Sequence, residues 1–293
     1  CIYGAEEWED WLDERVWYKA NPSLGVTLQV EYLREEAQRA RHVPTYQNTF
    51  RRLYLNQWTS QEERWLDMSE WDACAGEVDA EVLAGRECYG GLDLASTSDI
   101  AAFVLVFPPE EAGGKFAVLP FFWLPRDDLE ERSRRDRAPY DVWVREGLIE
   151  ATPGKVIDFD FIRSRIEELG KRYAIREIAF DRWGAIQISQ ALERDGFTMV
   201  QFGQGFASMS PPTKELLRLV LDRQVAHGGH PVLRWMADNL MVRQDPAGNV
   251  KPDKAKSRQK IDGIVALIMA LDRALRHQGP ARSVYEERGI LWI

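Results

Sequence analysis

Cysteine is scarce in this chain: three in 293 residues, Cys1, Cys74 and Cys88. No two form a CxxC pair, so a disulfide scaffold and a thiolate zinc site both lack material, and a reducing compartment fits better. Histidine is nearly as rare. His42, His227, His230 and His277 make no HExxH, and the His227/His230 pair flanks Gly228-Gly229, which reads as a loop rather than a zinc site. Long apolar runs are missing as well. Ile100–Phe107 and Ile261–Leu271 fall far short of a bilayer span, and no basic-then-apolar signal opens the chain. There is no internal repeat and no GxxxxGK[ST] phosphate loop. Positive charge is outweighed, 38 Lys and Arg against 47 Asp and Glu, for a net charge of −9. That balance excludes a protein that coats nucleic acid by charge alone, but not a nuclease, whose metal-site acids add negative charge beside a local basic strip.

What is present is globular: 45% hydrophobic and 29% charged residues, in a length that suits one or two domains. The first residue is Cys1, which suggests a fragment of a longer polypeptide. Residues 1–72 differ from the remainder. Acids interleave with Trp8, Trp11 and Trp17, read as packing rather than base stacking, and Asn21-Pro22-Ser23-Leu24-Gly25 is a turn. Val30–Ala40 reads as a helix that Pro44 ends.

From about residue 86 the pattern changes. Tyr89–Ala95, Ile100–Phe107 and Phe116–Leu124 read as three strands joined by short loops, an antiparallel meander. Residues 126–149 are charged and helical in pattern. Phe159–Tyr173 is an amphipathic helix, Glu177–Asp181 a strand, and Ala185, Ile188 and Leu192 mark a further helix. Thr198–Phe202 reads as a strand, Lys214–Val225 as a helix and Asp245–Asn249 as a hairpin turn. Ile261, Ile264, Val265, Ile268 and Leu275 define a strongly apolar closing helix. Three strands, then alternating helix and strand, give a mixed α/β sheet with helices on its faces, the plan of the ribonuclease-H-like fold.

Three aspartates stand out by position. Asp93 lies in the first strand, on the opposite face from Leu92 and Leu94 by period-two alternation. Asp181 closes its strand, and ligands bind at strand ends in such sheets. Asp262 opens the last helix, where the helix dipole favours an ionised carboxylate. Oxygen ligands without His or Cys select Mg²⁺ or Mn²⁺, and two such ions about 3.5–4 Å apart can clamp a phosphodiester. Asp93, central in the sheet, is the natural bridging ligand. A single aspartate after a strand is also a common turn or cap residue, and Asp262 alone reads equally as a first-turn acid, so the weight rests on the set of three. Asp99 reads as a turn residue close enough to Asp93 to support it.

Just before Asp262, Lys251–Lys260 holds five cations and one anion in ten residues. It reads either as a solvated loop or as a contact for a phosphate backbone, with Lys254, Lys256 and Arg258 as the contacting cations. Arg182 and Trp183, after Asp181, are further candidates to face substrate, Trp183 equally a core residue.

These residues resemble the C-terminal part of the large terminase subunit of tailed bacteriophages, from about residue 17 to 276. The matching pieces are Trp17-Tyr18-Lys19-Ala20-Asn21-Pro22-Ser23-Leu24-Gly25, Arg52–Trp58, Trp65-Leu66 with Trp71, Gly91-Leu92-Asp93-Leu94-Ala95, Phe180-Asp181-Arg182, and Lys260-Ile261-Asp262-Gly263 with Ala266 and Ala270. The resemblance implies a metal-dependent endonuclease that cuts concatemeric double-stranded DNA, uses two Mg²⁺ or Mn²⁺ ions, and works with a portal protein and a small terminase subunit. It implies action in the host cell cytoplasm, at the procapsid, and no membrane partner. Residues 1–72 are expected to be the trailing end of a motor domain and its linker, 73–278 the nuclease, and 279–293 a tail. Without the phosphate loop, the chain is expected neither to bind ATP in the motor's manner nor to translocate DNA. Competing readings are a resolvase or integrase on the same fold, an actin-like nucleotide binder with Gly203-Gln204-Gly205 as its weak second phosphate loop, and a non-catalytic docking module.

Overall fold

The computed structural model describes residues 3–6, 9–42, 44–57, 65–94, 100–111, 113–257 and 259–277, with the side chains of 42, 44, 45, 48 and 182–184 outside that description. The leading part is helical: α1 (Glu14–Ala20), α2 (Val30–His42), α3 (Pro44–Leu55) and α4 (Met68–Asp72). Pro44 does end α2, and it also opens α3, a position where its missing N–H costs nothing. Trp17, Leu33, Phe50 and Leu55 are the buried centre of α1–α3, with Trp11 and Trp17 both edge-on to Phe50, so those two tryptophans pack as expected. Trp8 and Asp99 lie outside the described residues.

The rest alternates strand and helix: β1 (Glu87–Asp93), β2 (Ala101–Phe107), β3 (Phe116–Pro125), α5 (Leu129–Asp136), α6 (Tyr140–Arg145), β4 (Glu150–Thr152), α7 (Phe159–Arg172) and β5 (Ala174–Phe180). There follow α8 (Arg182–Arg194), β6 (Met199–Gln201), α9 (Phe206–Leu221), β7 (Val225–Ala226), α10 (Pro231–Asp238), β8 (Val242–Gln244), β9 (Val250–Pro252) and α11 (Asp262–His277). A seven-stranded sheet has the order β4-β3-β2-β1-β5-β6, with β7 also on β3. β1, β2 and β3 are antiparallel, as the meander requires, while β5 and β6 add in parallel to β1. β8 and β9 form a separate hairpin across the turn at Asp245–Asn249.

Each face of the sheet has its own apolar layer. Leu92, Phe103, Leu105, Ile178 and Phe180 pack under α7 and α8. Ala102, Val104, Val118, Phe122 and Ala179 pack under α9, α10 and α11. β2 is buried along its whole length because both of its faces are covered, which is why its sequence is apolar without alternation. α11 is apolar nearly all round and buried from Asp262 to Leu271, each Leu, Ile or Val there contributing about 1.5–3 kcal/mol.

The boundaries that differ most from the sequence reading are those of α9. The helix expected from Lys214 begins at Phe206 and carries Pro211 and Pro212 inside it. Met209, Pro212 and Leu216 are buried there, and that packing outweighs the lost backbone bonds. It also stops at Leu221, because Val225 leaves to pair with Phe116 of β3. α4, in the leading segment by sequence, packs in the layer of α9–α11: Leu66, Met68 and Trp71 are buried among them. His227 fastens it. Its ring stacks on Trp71, Nε2–H donates to the Trp71 carbonyl at 2.8 Å, and Nδ1 accepts from the Gly229 N–H at 3.2 Å.

Candidate metal centre

The register of the sheet brings the first two acids together. Leu92 of β1 pairs with Phe180 of the parallel neighbour β5, so Asp93 and Asp181 are the next residues on adjacent chains. Leu92 and Phe180 belong to the α7–α8 layer, which turns Asp93 to the opposite face, as the alternation predicts. The third acid arrives on α11, which crosses directly over β1. A Cβ added at Gly91 would meet the Ala270 backbone nitrogen at 2.9 Å, so only glycine allows this crossing. Gly263 is also closely packed, though against side chains: a Cβ there would lie 2.7 Å from the Phe122 ring and 2.8 Å from the Met236 sulfur. Asp262 is thereby seated at the first turn of α11, above the end of β1.

Asp93 and Asp262 are both buried. They share one cation: Lys254 Nζ donates to Asp93 Oδ2 at 2.7 Å and to Asp262 Oδ1 at 2.9 Å. Burial pushes the Asp93 carboxyl above the ordinary carboxylate range; the Lys254 ammonium opposes this, and the charges of Asp262 and Asp181 reinforce it. Asp181, half-buried just past β5, is therefore within electrostatic reach of Asp93. For Lys254 burial works against the charged form, but the two carboxylates outweigh it and hold the ammonium charged. Asp136 of α5 is a further buried acid. It accepts from Tyr140 Oη at 3.2 Å and Arg135 Nε at 2.7 Å, and it feels the charge of Lys260.

Among the described residues, no three His, Cys, Asp or Glu side chains are set closely enough to hold a metal ion as they stand. Asp93 and Asp262 instead share the Lys254 ammonium, which lies between them. The donor set nevertheless fits a hard divalent cation. It is all carboxylate oxygen, two of its three acids are buried, and those two already bind positive charge at hydrogen-bond distance.

The basic run does not form one face. Lys254, read with Lys256 and Arg258 as a phosphate contact, is turned inward onto the acids. Lys251 donates to the Gln204 carbonyl at 3.1 Å and lies over the Phe206 ring. Lys256 is exposed, while Arg258 and the side chains of Arg182 and Trp183 lie outside the described residues. Sequence reasoning missed the inward turn of Lys254, which no local pattern distinguishes from the other cations of the run. Gly203-Gln204-Gly205 is the link from β6 to α9, and Gly205 has an ordinary extended conformation, φ −81° and ψ 168°.

The order β3-β2-β1-β5-β6, with acids at the ends of β1 and β5 and at the start of a helix lying across β1, defines a ribonuclease-H-like domain. The family model of the terminase large subunit, endonuclease domain, matches residues 2–278, and the chain belongs to that family. It is 40% identical over 275 residues to the terminase large subunit of Enterobacteria phage HK97, covering 93% of this chain and 54% of that protein. It is 30% identical over 286 residues to Protein YmfN of Escherichia coli (strain K12), covering 94% of this chain and 63% of that one. The crystal structure of the HK97 bacteriophage large terminase matches it with a TM-score of 0.65 at 39% identity, over 93% of this chain and 56% of that chain. The chain thus spans only about half to under two thirds of the length of these relatives. Among the described residues, no helix is long and apolar enough to cross a membrane.

Proposed function

We propose that this chain is the DNA-cutting part of a viral packaging motor, an endonuclease that hydrolyses phosphodiester bonds of concatemeric double-stranded DNA. The observation that carries the reading is the meeting of Asp93 and Asp262 on one cation, with Asp181 beside Asp93 on the neighbouring strand. In this reading Asp93, Asp181 and Asp262 would hold two divalent ions, Mg²⁺ or Mn²⁺. Such ions, when bound, supply an acidified water as nucleophile and neutralise the departing oxygen. The chain's own part is to fix three carboxylates close together, two of them buried, at the strand-end edge of the sheet. Lys256, Arg258 and Arg182 contact the phosphate backbone. Residues 1–72 are the end of a motor domain and its linker, the last part of which, α4, packs into the nuclease that follows from residue 73. The partners are DNA, a portal protein and a small terminase subunit, at the procapsid in the host cytoplasm.

The test is cleavage of supercoiled plasmid by the full chain. Nicking and degradation with Mn²⁺ or Mg²⁺, abolished by chelator and by Asp93→Ala in a folded protein, is the expected result. Undiminished cleavage by Asp93→Ala sinks the reading, and no cleavage by the parent under any divalent ion favours a docking module. Preference for branched over linear duplex favours a resolvase.

A further inference from the structure

We infer that the Lys254 ammonium is a built-in cation of the acidic centre, holding the place between Asp93 and Asp262 that a divalent ion takes and leaving it when the ion enters. The inference rests on the reading of these acids as a metal centre.

The first support is geometric. One ammonium is at hydrogen-bond distance from an oxygen of each buried carboxylate, 2.7 Å and 2.9 Å. A small divalent ion needs oxygen ligands at about 2.0–2.1 Å, so an ion and the ammonium cannot occupy the gap together. The second is charge. Asp93 and Asp262 against Lys254 leave one negative charge in excess, before Asp181 is added. The ammonium keeps the two buried acids from standing uncompensated, which is strongly unfavourable, yet leaves the centre short of positive charge.

The third is the way Lys254 is mounted. Its backbone is held tightly. Asp253 Oδ1 accepts from the Ala255 and Lys256 N–H groups at 3.0 and 3.2 Å, and the Asp253 N–H donates to the Met241 carbonyl at 2.8 Å. Ser257 Oγ donates to the Asp253 carbonyl at 2.8 Å. Upstream, the Val250 N–H donates to Ser210 Oγ at 3.1 Å, which ties β9 to α9. The Lys254 side chain, by contrast, is 42% exposed. Only its ammonium is tucked in, so it can leave the acids by rotation of its stem while the turn stays intact.

Two measurements on the full chain test this. In the first, Mn²⁺ is titrated into the parent and Lys254→Met, with free ion followed by its EPR signal. The variant should bind Mn²⁺ about tenfold tighter, a usual size for coupled binding equilibria. Its metal-free Tm should fall below the parent's, and the gap should close at saturating Mn²⁺. A lysine that merely braces the fold predicts equal or weaker Mn²⁺ binding in the variant, and that result overturns the inference. In the second, the parent is acetylated at its amines and read by peptide mass spectrometry. Labelling of Lys254 relative to the exposed Lys256 should rise several-fold when Mn²⁺ is added; an unchanged ratio overturns the inference. If the parent binds no Mn²⁺, the metal centre and the inference fail together. If it binds Mn²⁺ while both Lys254 readouts stay flat, the inference alone fails.

Discussion

Gly91 of β1 and Ala266 of α11 meet backbone to backbone: a Cβ on Gly91 would lie 2.0 Å from the Ala266 carbonyl oxygen. Asp93 is two residues along the same face of the strand, and Asp262 is one helical turn before Ala266 on the same side of the helix. The contact between two residues without chemistry of their own therefore sets the spacing of two acids. Gly91→Ala should overpack a backbone that cannot give way, at about 1–3 kcal/mol, and should lower cleavage together with Tm. Thermal melts and the plasmid assay check it; a variant that melts and cuts like the parent refutes the registering role.

Replacing the acids should separate chemistry from stability. Asp181→Asn should cut the cleavage rate by about a thousandfold, the equivalent of about 4 kcal/mol of lost metal stabilisation, with little change in Tm. Asp93→Asn and Asp262→Asn should reduce cleavage similarly and also alter Tm, because each removes one partner of the Lys254 ammonium. Identical melting shifts for all three would contradict the different burial of Asp181.

Lys256 is exposed, whereas Lys251 is occupied by the Gln204 carbonyl and the Phe206 ring. Lys256→Ala should reduce the slope of log K against log salt for duplex binding by about 0.9, the loss of one phosphate contact, and Lys251→Ala should leave it nearly unchanged. Equal slopes for Lys256→Ala and the parent would make that lysine part of a solvated loop.

Stability should fall in mild acid through His230. Burial against Phe122 pushes its imidazole from an ordinary 6.5 down to about 4, and Nδ1 has no hydrogen-bond partner among the described residues. The unfolded chain takes up this proton below pH 6.5 while the folded protein refuses it until about pH 4. The stabilisation is thus complete above that window and is lost as pH falls through it, at no more than about 1.4 kcal/mol per pH unit. His227, also lowered by burial, acts in the same direction. Urea unfolding at pH 7.5 and pH 5 should show a smaller pH difference for His230→Phe than for the parent, with the part due to His227 remaining.

Trp71 should matter to the nuclease core despite its place in the leading segment. It is fully buried and joined to the β7–α10 loop through His227. Trp71→Ala should cost about 3–5 kcal/mol. A chain starting at residue 65 should melt well above one starting at residue 73; equal Tm values would place the working boundary where composition alone suggested.

The meander and the closing helix were legible because they are long and apolar. β2 has seven consecutive buried residues, and α11 is buried over most of its length, so neither needed distant partners to be recognised. β4 and β7, three and two residues long, were not, because each exists only where β3 offers an edge to pair with. Pro211 and Pro212 hid the first turns of α9, since local propensity opposes a helix that tertiary packing imposes.

The three acids themselves could be singled out from the chain, because strand alternation and helix starts are local properties carried by neighbouring residues. The fate of Lys254 could not. In sequence it is one cation among five, equally suited to solvent or to a phosphate. Its attachment to Asp93, 161 residues away, exists only once α11 has settled on Gly91 and the turn at Asp253 has closed. Order along the chain chose which carboxylates were available. Backbone contact between a strand and a helix decided that two of them would be buried together, and burial made a shared positive charge necessary.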